Sequence, residues 1–316
     1  MADPKVSLVV SLPSDPGLRE AMGAVEGVEF VAWDLDGPPP RERIDIVVPP
    51  YWEGNAVLAA VAQVETRLVQ WQSIGYNGVE QHLPAGVALA NAATVHETST
   101  AELAVALTLA AQRGIPDFVR AGDQHRWHEV PPMPSLADRR VLLIGYGGVG
   151  KAVEARLAGF EVSLQRLART ARTARNLAGE EVPVHGFAEL HRELGEAEIV
   201  ILGVPLTDET RRLIDADALA VMPDGALLVN VARGPVVDTA ALVAELNAGR
   251  LRAALDVTDP EPLPADHPLW DCPGLLVTPH VGGDSTAMLP RVRALILRQI
   301  ERMQAGEAPA NLVLGG

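Results

Sequence analysis

A glycine-rich turn between two regular elements constrains this sequence more than any other feature. Residues 145–150 read Gly-Tyr-Gly-Gly-Val-Gly; the continuous apolar run VLLIGYG at 141–147 leads into them, and VGKAVEARLAGF at 149–160 follows with helical spacing. A strand that is apolar at every position is typical of a parallel sheet covered on both faces. In this strand–turn–helix context, the pattern G-x-G-x-x-G predicts a dinucleotide-binding turn.

Each glycine of the turn has its own predicted role. Gly145 permits the tight turn, Gly147 lets the backbone approach a pyrophosphate, and Gly150 lets the helix and the strand pack closely. The start of the helix adds N–H groups and the positive end of the helix dipole for the phosphates. A glycine-rich turn without a ligand is the alternative, and the elements on both sides of the turn favour the dinucleotide.

Short apolar runs alternate with helical patterns along most of the chain. The runs that predict strands lie at 6–12, 28–33, 44–48, 68–73, 87–91, 141–147, 162–168, 198–205, 226–232, 251–257 and 275–281. Helical spacing is found at 55–65, 98–112, 149–160, 208–222, 238–249 and 285–305. The proline-bearing segment 113–137 predicts a short helix followed by an extended arm.

This alternation of predicted strands and helices predicts an α/β fold with two doubly wound parallel sheets. We expect a Rossmann-type cofactor domain over 102–283, inserted into a discontinuous, flavodoxin-like substrate domain made of 1–101 and 284–316. The final helix would then pack back on the first domain.

Charge and cysteine content exclude several classes of function. The chain has 26 basic and 41 acidic residues, a net charge of −15, so it is a poor general binder of nucleic acid or anionic membrane. Its single cysteine, Cys272, excludes a disulfide framework and a cysteine-rich metal site. The start MADPKVSLVVSL reads as a strand rather than a signal peptide, and no apolar run reaches membrane-spanning length. We therefore expect a cytoplasmic protein.

The strand after the glycine turn lacks the acidic residue that would hold the ribose 2′-hydroxyl of NAD. Between Val162 and Gly179 there is no Asp or Glu, and four arginines occur instead: Arg166, Arg169, Arg172 and Arg175. The planar fork of arginine suits a 2′-phosphate. We predict a preference for NADP(H), with NAD(H) possible and with Arg169 and Thr170 at the phosphate. A solvated, arginine-bearing loop or helix face is the alternative.

Three polar residues lie at or just beyond the ends of predicted strands in the same half of the chain. They are Arg233, Glu261 and His280. In an open α/β sheet, ligands bind at the carboxyl ends of the strands. Reduction of a 2-oxo acid needs an arginine for the carboxylate, a histidine that protonates the developing alkoxide, and a carboxylate that orients the imidazole. Asp259 competes with Glu261 for the last role.

Four stretches of the chain together resemble the D-isomer-specific 2-hydroxyacid dehydrogenases. They are LIGYGGVGKAVEARLAGF, GVPLTDETRRLI, NVARGPVVDTAALVAELNAGRLRAALDVTDPEPLP and HPLWDCPGLLVTPHVGG. The clear resemblance covers about 100–285, and the N-terminal part agrees more weakly through VVPPYW, QSIGYNGV and NAATVHETSTAELAVAL.

The resemblance implies a role for each matching residue. Arg233 would bind substrate, His280 would act as general acid/base, and Glu261 rather than Asp259 would be its acidic partner. Ile74 and Gly75 would receive the substrate carboxylate through backbone N–H groups, and Asp256 would bind the nicotinamide carboxamide. The implied cofactor contacts are Thr100, Gly145, Gly147, Val149, Gly150, Pro205, Thr210, Val231, Ala232, Arg233, Asp256, His280 and Gly282.

The resemblance also implies a small-molecule substrate and a homodimer built through 113–137. Among 2-oxo acids, glyoxylate and hydroxypyruvate are expected, because the NADPH-linked members of the family most resemble reductases of those compounds. We expect no metal: His125 and His128 have no third ligand nearby in the sequence. One departure is the turn Asn91-Ala92-Ala93-Thr94, where the family commonly has N-x-x-G.

Two other functions are alternatives. A related dehydrogenase of another small anion, formate or phosphite, would use the same scaffold, although Glu261 speaks against formate because the formate dehydrogenases of this kind pair the histidine with Gln. A non-catalytic, cofactor-sensing regulator is the alternative from a different class, since fold does not dictate function.

Overall fold

The computed structural model describes residues 8–315, which divide into two compact units. The split unit contains the residues up to His96 and those from Ser285 onward, and the inserted unit is Glu97–Asp284. The sequence placed these junctions after 101 and after 283. Val6 and Ser7, the first two residues of the first predicted strand, lie outside the described residues.

Strands and helices alternate along both units. In chain order they are β1 Leu8–Leu12, α1 Pro16–Met22, β2 Val28–Ala32, β3 Ile46–Val47, β4 Leu68–Gln70, β5 Ala88–Ala90, α2 Glu97–Gln112, α3 Ile115–Asp123, β6 Arg140–Ile144, α4 Gly148–Leu157, β7 Ser163–Leu167, β8 Arg172–Arg175, β9 Glu181–Val184, α5 Leu190–Glu196, β10 Ile199–Leu202, α6 Ala216–Val221, β11 Leu227–Asn230, α7 Thr239–Asn247, β12 Arg252–Leu255, β13 Leu275–Val277, α8 Met288–Gln304 and β14 Leu312–Leu314. Short 3₁₀ helices occupy Asn55–Gln63, Val79–Gln81, Phe187–Glu189, Gly234–Val236 and Pro268–Asp271. None of the helices in this described part of the chain is long and apolar enough to cross a membrane.

The sheet of the split unit has the order β14-β5-β4-β3-β1-β2. Strands β1 to β5 are parallel, and β14 adds an antiparallel edge beside β5. One face of this sheet is covered by α1 and α8, whose apolar side chains share one core with the strands. The C-terminal residues therefore supply both a covering helix and an edge strand of this unit.

A buried pair of glutamines fastens α8 to the sheet. The Gln299 side-chain amide donates to Gln70 Oε1 at 2.7 Å, and its oxygen accepts the Ala310 N–H at 2.9 Å. Gln70 in turn donates to the Trp71 carbonyl at 2.8 Å. Because buried amides are costly unless they are hydrogen-bonded, these contacts fix how α8 and the chain before β14 lie on β4.

The inserted unit contains a six-stranded parallel sheet with the order β13-β12-β11-β10-β6-β7. Within this sheet, the first strand in chain order is β6. The chain continues to the edge strand β7 and then crosses to β10 on the other side of β6. The order reverses between β6 and β10, which is where such sheets bind ligands. The α/β class with parallel, doubly wound sheets is confirmed.

Two parts of the inserted unit differ from the predicted elements. Residues 172–184 form the β8–β9 hairpin, with Arg172 opposite Val184 and Arg175 opposite Glu181, where we expected a strand only as far as 168. The helix predicted at 208–222 is confined to Ala216–Val221, because Asp215 caps its start by accepting the Ala218 N–H at 2.9 Å. The segment predicted to be helical at 55–65 forms a 3₁₀ helix over Asn55–Gln63.

The packing of α8 gives a test of the core of the split unit. Ile296 is fully buried, whereas Leu289 on the same helix is exposed. We expect Ile296→Ala to lower the free energy of unfolding by about 2–5 kcal/mol, because it removes apolar contacts and leaves a cavity. Leu289→Ala, the matched control, should change it by less than about 1 kcal/mol in urea denaturation. Equal effects of the two substitutions would contradict this packing.

Candidate active site

The glycine turn follows β6 and packs against the loop that follows β10. Gly145 has φ +105°, and a Cβ at this position would lie 2.5 Å from the carbonyl carbon of Gly203. Gly150 is equally restricted, since its Cβ would lie 2.0 Å from the Gly145 carbonyl oxygen. Both positions therefore exclude any side chain, as the sequence motif requires.

Gly147 differs from the other two glycines. Its backbone is extended, with φ −98° and ψ −152°, and a Cβ there would meet no protein atom within 4 Å. The protein itself therefore does not need a glycine at this position. Gly147 directly precedes α4, and no side chain caps the start of that helix. An open surface lined by helix N–H groups fits the pyrophosphate of a dinucleotide.

Tyr146, between the first two glycines, points into the protein. Its hydroxyl donates to Glu154 on α4, and Glu154 also accepts two hydrogen bonds from Arg166 on β7, at 2.6 Å from Nη2 and 3.1 Å from Nε. Burial and the neighbouring carboxylate raise the pKa of Tyr146 to about 12. Burial alone would raise the pKa of Glu154, but the hydrogen bonds from Arg166 and Tyr146 outweigh it and hold that pKa below its usual range.

The residues predicted at the 2′-phosphate lie at the carboxyl end of β7. Arg169 and Thr170 are both exposed, and Nη1 of Arg169 lies 3.6 Å from a carboxylate oxygen of Glu209. With 73% of its side chain accessible, Arg169 is held only loosely by this surface contact. The end of β7 therefore presents a cation and a hydroxyl to solvent, next to the glycine turn of the neighbouring strand.

The loop after β10 is closed by a threonine. Thr210 is buried; its hydroxyl donates to the Pro205 carbonyl at 2.6 Å and accepts the Thr207 N–H at 2.8 Å. These bonds fix the backbone from 205 to 210. Pro205 and Thr210, two predicted cofactor residues, are thus brought together by one turn.

Arg233 follows β11 on a loop that Asn230 holds in place. The Asn230 side chain accepts the Ala232 N–H and donates to the Arg233 carbonyl, both at 3.0 Å. Val231 and Ala232 are buried, while Arg233 is partly exposed. Sequence reasoning missed the positioning role of Asn230, although an asparagine at a strand end is a signal for such a turn.

The loop carrying Arg233 lies directly against the loop that leads to Glu261. A Cβ on Gly234 would lie 1.8 Å from the Thr258 carbonyl oxygen, so only glycine fits there. Thr258 then donates through its hydroxyl to the Pro260 carbonyl at 2.8 Å. The ends of β11 and β12 are therefore locked together beside the two predicted catalytic side chains.

Asp256, at the end of β12, shapes the histidine loop. Its carboxylate accepts the Thr278 hydroxyl at 2.7 Å and the N–H groups of Val281 and Gly282, both at 2.9 Å. Its carbonyl accepts the His280 N–H at 2.8 Å. His280 has φ +56°, a left-handed conformation that is uncommon for a side-chain-bearing residue. Asp256 thus holds His280 in that conformation, a role the sequence did not reveal.

The imidazole of His280 pairs with Glu261. Nδ1 of His280 is hydrogen-bonded to Oε1 of Glu261, and both side chains are half exposed. Asp259, the competing carboxylate, is exposed, and its carbonyl accepts the Thr239 hydroxyl at 3.1 Å. Since Nδ1 is bonded to Glu261, Nε2 is the imidazole nitrogen through which the predicted proton transfer would take place.

Thr100 lies against the same loop. It is buried in the first turn of α2, and a Cβ on Gly282 would come within 3.5 Å of its methyl group. The inserted unit therefore brings together three predicted cofactor residues, Thr100, Asp256 and Gly282, and the His280–Glu261 pair.

Ile74 and Gly75 belong to the split unit and lie on the loop after β4. The Asn91 side chain donates to the Ile74 carbonyl at 2.8 Å, and the Trp71 indole N–H donates to the Gly75 carbonyl at 3.0 Å. Both carbonyls are therefore turned toward the protein. Thr94, where the family commonly has glycine, nevertheless adopts φ +79°, so this loop keeps the left-handed residue without the glycine.

Of the two histidines considered as metal ligands, one contacts an arginine. Nδ1 of His128 lies 2.8 Å from a guanidinium nitrogen of Arg126. Within residues 8–315, one group of three possible metal ligands, His185, Glu189 and Glu193, has ligand atoms within 4.8 Å of one another. Arg192 already pairs with both of those carboxylates, so its guanidinium supplies the positive charge at this cluster.

The chain matches the sequence profile of the D-isomer specific 2-hydroxyacid dehydrogenase NAD binding domain over residues 105–282. It is also 30% identical over 328 aligned residues to a glyoxylate reductase of Pyrococcus furiosus, covering 98% of this chain and 95% of the relative. A glyoxylate reductase of Pyrococcus horikoshii is 33% identical over 260 residues, covering 78% and 76%. The chain therefore belongs to the D-isomer specific 2-hydroxyacid dehydrogenase family, and it is an NAD(P)-dependent oxidoreductase of that kind.

Solved structures agree with this assignment. A D-isomer specific 2-hydroxyacid dehydrogenase of Xanthobacter autotrophicus Py2, in complex with NADPH and MES, superimposes with a TM-score of 0.75 at 31% identity, over 97% of this chain and 98% of that one. An NADPH-dependent glyoxylate/hydroxypyruvate reductase of Sinorhizobium meliloti, in complex with NADP and sulfate, reaches a TM-score of 0.79 at 24% identity, over 97% of each chain. The second likeness supports the fold.

The glycine turn predicts opposite outcomes for two alanine substitutions. Gly147→Ala should leave the free energy of unfolding within about 1 kcal/mol of wild type, because its Cβ meets no protein atom, and should weaken dinucleotide binding at least about tenfold by occupying the space for the pyrophosphate. Gly150→Ala should cost at least about 3 kcal/mol, because the Gly145 carbonyl stands in its way. Urea denaturation and cofactor fluorescence titration measure the two effects. Unchanged cofactor affinity in Gly147→Ala would contradict the assignment of the turn.

The Tyr146 hydroxyl provides a pH test of the buried contact with Glu154. The difference in tyrosinate absorbance between wild type and Tyr146→Phe isolates this one of the three tyrosines. We expect it to develop near pH 12 in the folded protein and near about pH 10 in guanidinium. Because the folded-state pKa is raised, the stability gained by burying the neutral phenol is complete below about pH 10 and is lost as the pH rises through 12. A native transition near pH 10 would show that Tyr146 is solvated.

Proposed function

We propose that this dehydrogenase transfers hydride reversibly between NADP(H) and C2 of a small 2-oxo acid, with glyoxylate or hydroxypyruvate as the acid it reduces. The observation that carries the proposal is the His280–Glu261 hydrogen bond at the carboxyl ends of strands that also bear Arg233. Together these side chains supply a proton donor, its acidic partner and a carboxylate-binding cation.

When bound, the reduced nicotinamide supplies the hydride. His280 gives the proton on Nε2 to the oxygen that becomes the hydroxyl group, and Glu261 at Nδ1 stabilises the imidazolium before transfer and keeps the ring oriented. Arg233 binds the substrate carboxylate and draws electron density from the adjacent carbonyl. In the oxidising direction, His280 accepts the same proton.

The cofactor half of the proposal rests on the end of β7. No acidic residue follows this strand up to Gly179, and Arg169 and Thr170 are exposed there. A 2′-phosphate could pair with the guanidinium and the hydroxyl, whereas an unphosphorylated ribose would find no carboxylate. The Xanthobacter relative, which was solved with NADPH, supports this preference.

The substrate half rests on the relatives and on the split unit. The Pyrococcus relatives are named glyoxylate reductases. In the split unit, the Ile74–Gly75 loop has its carbonyls turned inward by Asn91 and Trp71, an arrangement suited to offering backbone N–H groups to a carboxylate.

We also propose a homodimer that buries α3 and the segment after it. Ile115, Val119 and Val130 are exposed apolar residues there, and Trp127 is 90% accessible. Apolar surface of this kind is typical of an interface between subunits. A cytoplasmic location stays a prediction of the sequence.

The test is the initial rate of nicotinamide absorbance change with NADPH and with NADH against a panel of 2-oxo acids. We expect turnover that prefers NADPH and a small acid, and a loss of kcat/KM of about a hundredfold to ten-thousandfold in His280→Gln. Arg233→Ala should raise KM for the acid. His82→Gln, at an exposed histidine of the split unit, is the matched control and should retain wild-type rates.

Three outcomes would overturn parts of this proposal. A preference for NADH would overturn the assignment of Arg169. Wild-type rates in His280→Gln would overturn the role of His280. Tight cofactor binding without turnover of any acid would favour a cofactor-sensing regulator.

A further inference from the structure

The four arginines that follow the glycine turn have different partners. Arg166 is largely buried and pairs through two nitrogens with Glu154, and Arg175 lies 3.4 Å from Glu181. Arg169 has a long surface contact with Glu209. Arg172 donates instead to two backbone carbonyls, those of Tyr146 at 3.1 Å and Thr170 at 3.3 Å. Among the described residues, no carboxylate pairs with Arg172.

The position of Arg172 beside the glycine turn is specific. Its two acceptors are the carbonyl of the second residue of the turn and that of Thr170, a predicted 2′-phosphate residue. Arg172 is exposed and begins β8. A guanidinium held by carbonyls keeps its full positive charge, so it can attract a phosphate group at this point.

One buried carboxylate connects the parts that determine where Arg172 lies. Glu154, 8% accessible on α4, accepts hydrogen bonds from the Tyr146 hydroxyl, from Arg166 on β7 and, at 3.4 Å, from the side-chain amide of Asn176. Asn176 directly follows β8. Through these hydrogen bonds, the buried Glu154 carboxylate links the glycine turn, β7 and the β8–β9 hairpin.

The same carboxylate determines which arginines can reach a ligand. Without Glu154, the buried guanidinium of Arg166 would have no counter-charge and would have to move toward solvent. With Glu154, the Arg166 guanidinium stays beneath the turn, 5.8 Å from the centre of the Tyr146 ring. The hairpin then supplies a second exposed cation beside the glycine turn, Arg172, in addition to Arg169.

We propose that Glu154 is a positioning residue for recognition of the cofactor 2′-phosphate: it holds Arg166 inside the protein and places the hairpin so that Arg172 joins Arg169 at the phosphate. Glu154 does not itself touch the cofactor. This inference rests on the proposed NADP(H) preference and extends it to Glu154, which the sequence did not single out.

The experiment measures binding of two probes that contain only the adenosine end of the cofactors. Displacement of a fluorescent dinucleotide gives the Kd of 2′,5′-ADP, which carries the 2′-phosphate, and of 5′-AMP, which does not. We expect Glu154→Gln to weaken 2′,5′-ADP about tenfold, the size of one charge-assisted hydrogen bond, and to leave 5′-AMP within about twofold. Tyr146→Phe, which removes one of the bonds to Glu154, should have a smaller effect in the same direction.

The matched control is Glu181→Gln. It makes the same chemical change at an exposed carboxylate of the β8–β9 hairpin that pairs with Arg175, and it should leave both probes within about twofold of wild type. Thermal unfolding of each variant establishes that it is folded before its affinity is compared.

A double-substitution cycle separates positioning from general loss of structure. If Glu154 acts through Arg172, the variant Glu154→Gln/Arg172→Met should bind 2′,5′-ADP no more weakly than Arg172→Met alone. Additive losses would overturn the inference, as would parallel weakening of both probes. Tighter 2′,5′-ADP binding in Glu154→Gln would also overturn it, by showing that a released Arg166 reads the phosphate.

Failure of the inference is distinguishable from failure of the proposed cofactor preference. If wild type binds 2′,5′-ADP no better than 5′-AMP, the NADP(H) preference is wrong and the inference falls with it. If wild type strongly prefers 2′,5′-ADP and Glu154→Gln keeps that preference, the inference alone is wrong.

Discussion

The close approach of backbone segments at the carboxyl ends of the strands is the constraint on which the inserted unit depends. At Gly145, Gly150 and Gly234, a Cβ would lie within 2.5 Å of a backbone atom of another segment or turn, so no side chain fits there. Gly145 and Gly150 belong to the proposed cofactor turn, and Gly234 directly follows Arg233, which has a proposed role in substrate binding. The tight packing brings loops from separate strands into one region, and the remaining side chains of those loops then share it.

Buried polar side chains fix the backbone of the loops that carry the exposed side chains of the candidate site. Asn230 bonds the backbone around Arg233, and Asp256 bonds the backbone around His280, while neither acid nor amide is exposed. Hydrogen bonds made away from water are strong when satisfied, so these loops are held rigidly. Arg233 and the His280–Glu261 pair are therefore partly exposed on backbone that is held in place. The proposed catalysis needs this kind of preorganised arrangement.

The sequence predicted the features that arise from local pattern. Apolar runs gave the parallel strands of both sheets, and the spacing around the glycine turn gave the junction of β6 and α4. The choice of Glu261 over Asp259 came from family spacing, and the hydrogen bond to His280 agrees with it. In each of these cases, residues close together in the sequence were sufficient to predict the structural feature.

Features that depend on distant partners were missed. The β8–β9 hairpin has charged and small residues in place of an apolar period, so nothing in its sequence distinguishes it from a solvated loop. Glu154 reads as an ordinary polar residue of α4 until β7 and the hairpin are placed beside it. Asp256 likewise acquires its role from N–H groups 25 and 26 residues further along the chain.

The split unit is completed by residues from both ends of the chain, and this has a consequence for synthesis. Strands β1 to β5 leave the ribosome first, but α8 and β14, which cover and extend their sheet, emerge only after the whole inserted unit. Domains generally fold as units during translation, so the inserted unit can form its core while the first sheet still exposes apolar surface. That apolar surface of the first sheet therefore stays uncovered by α8 while the ribosome translates the 188 residues of the inserted unit, Glu97–Asp284.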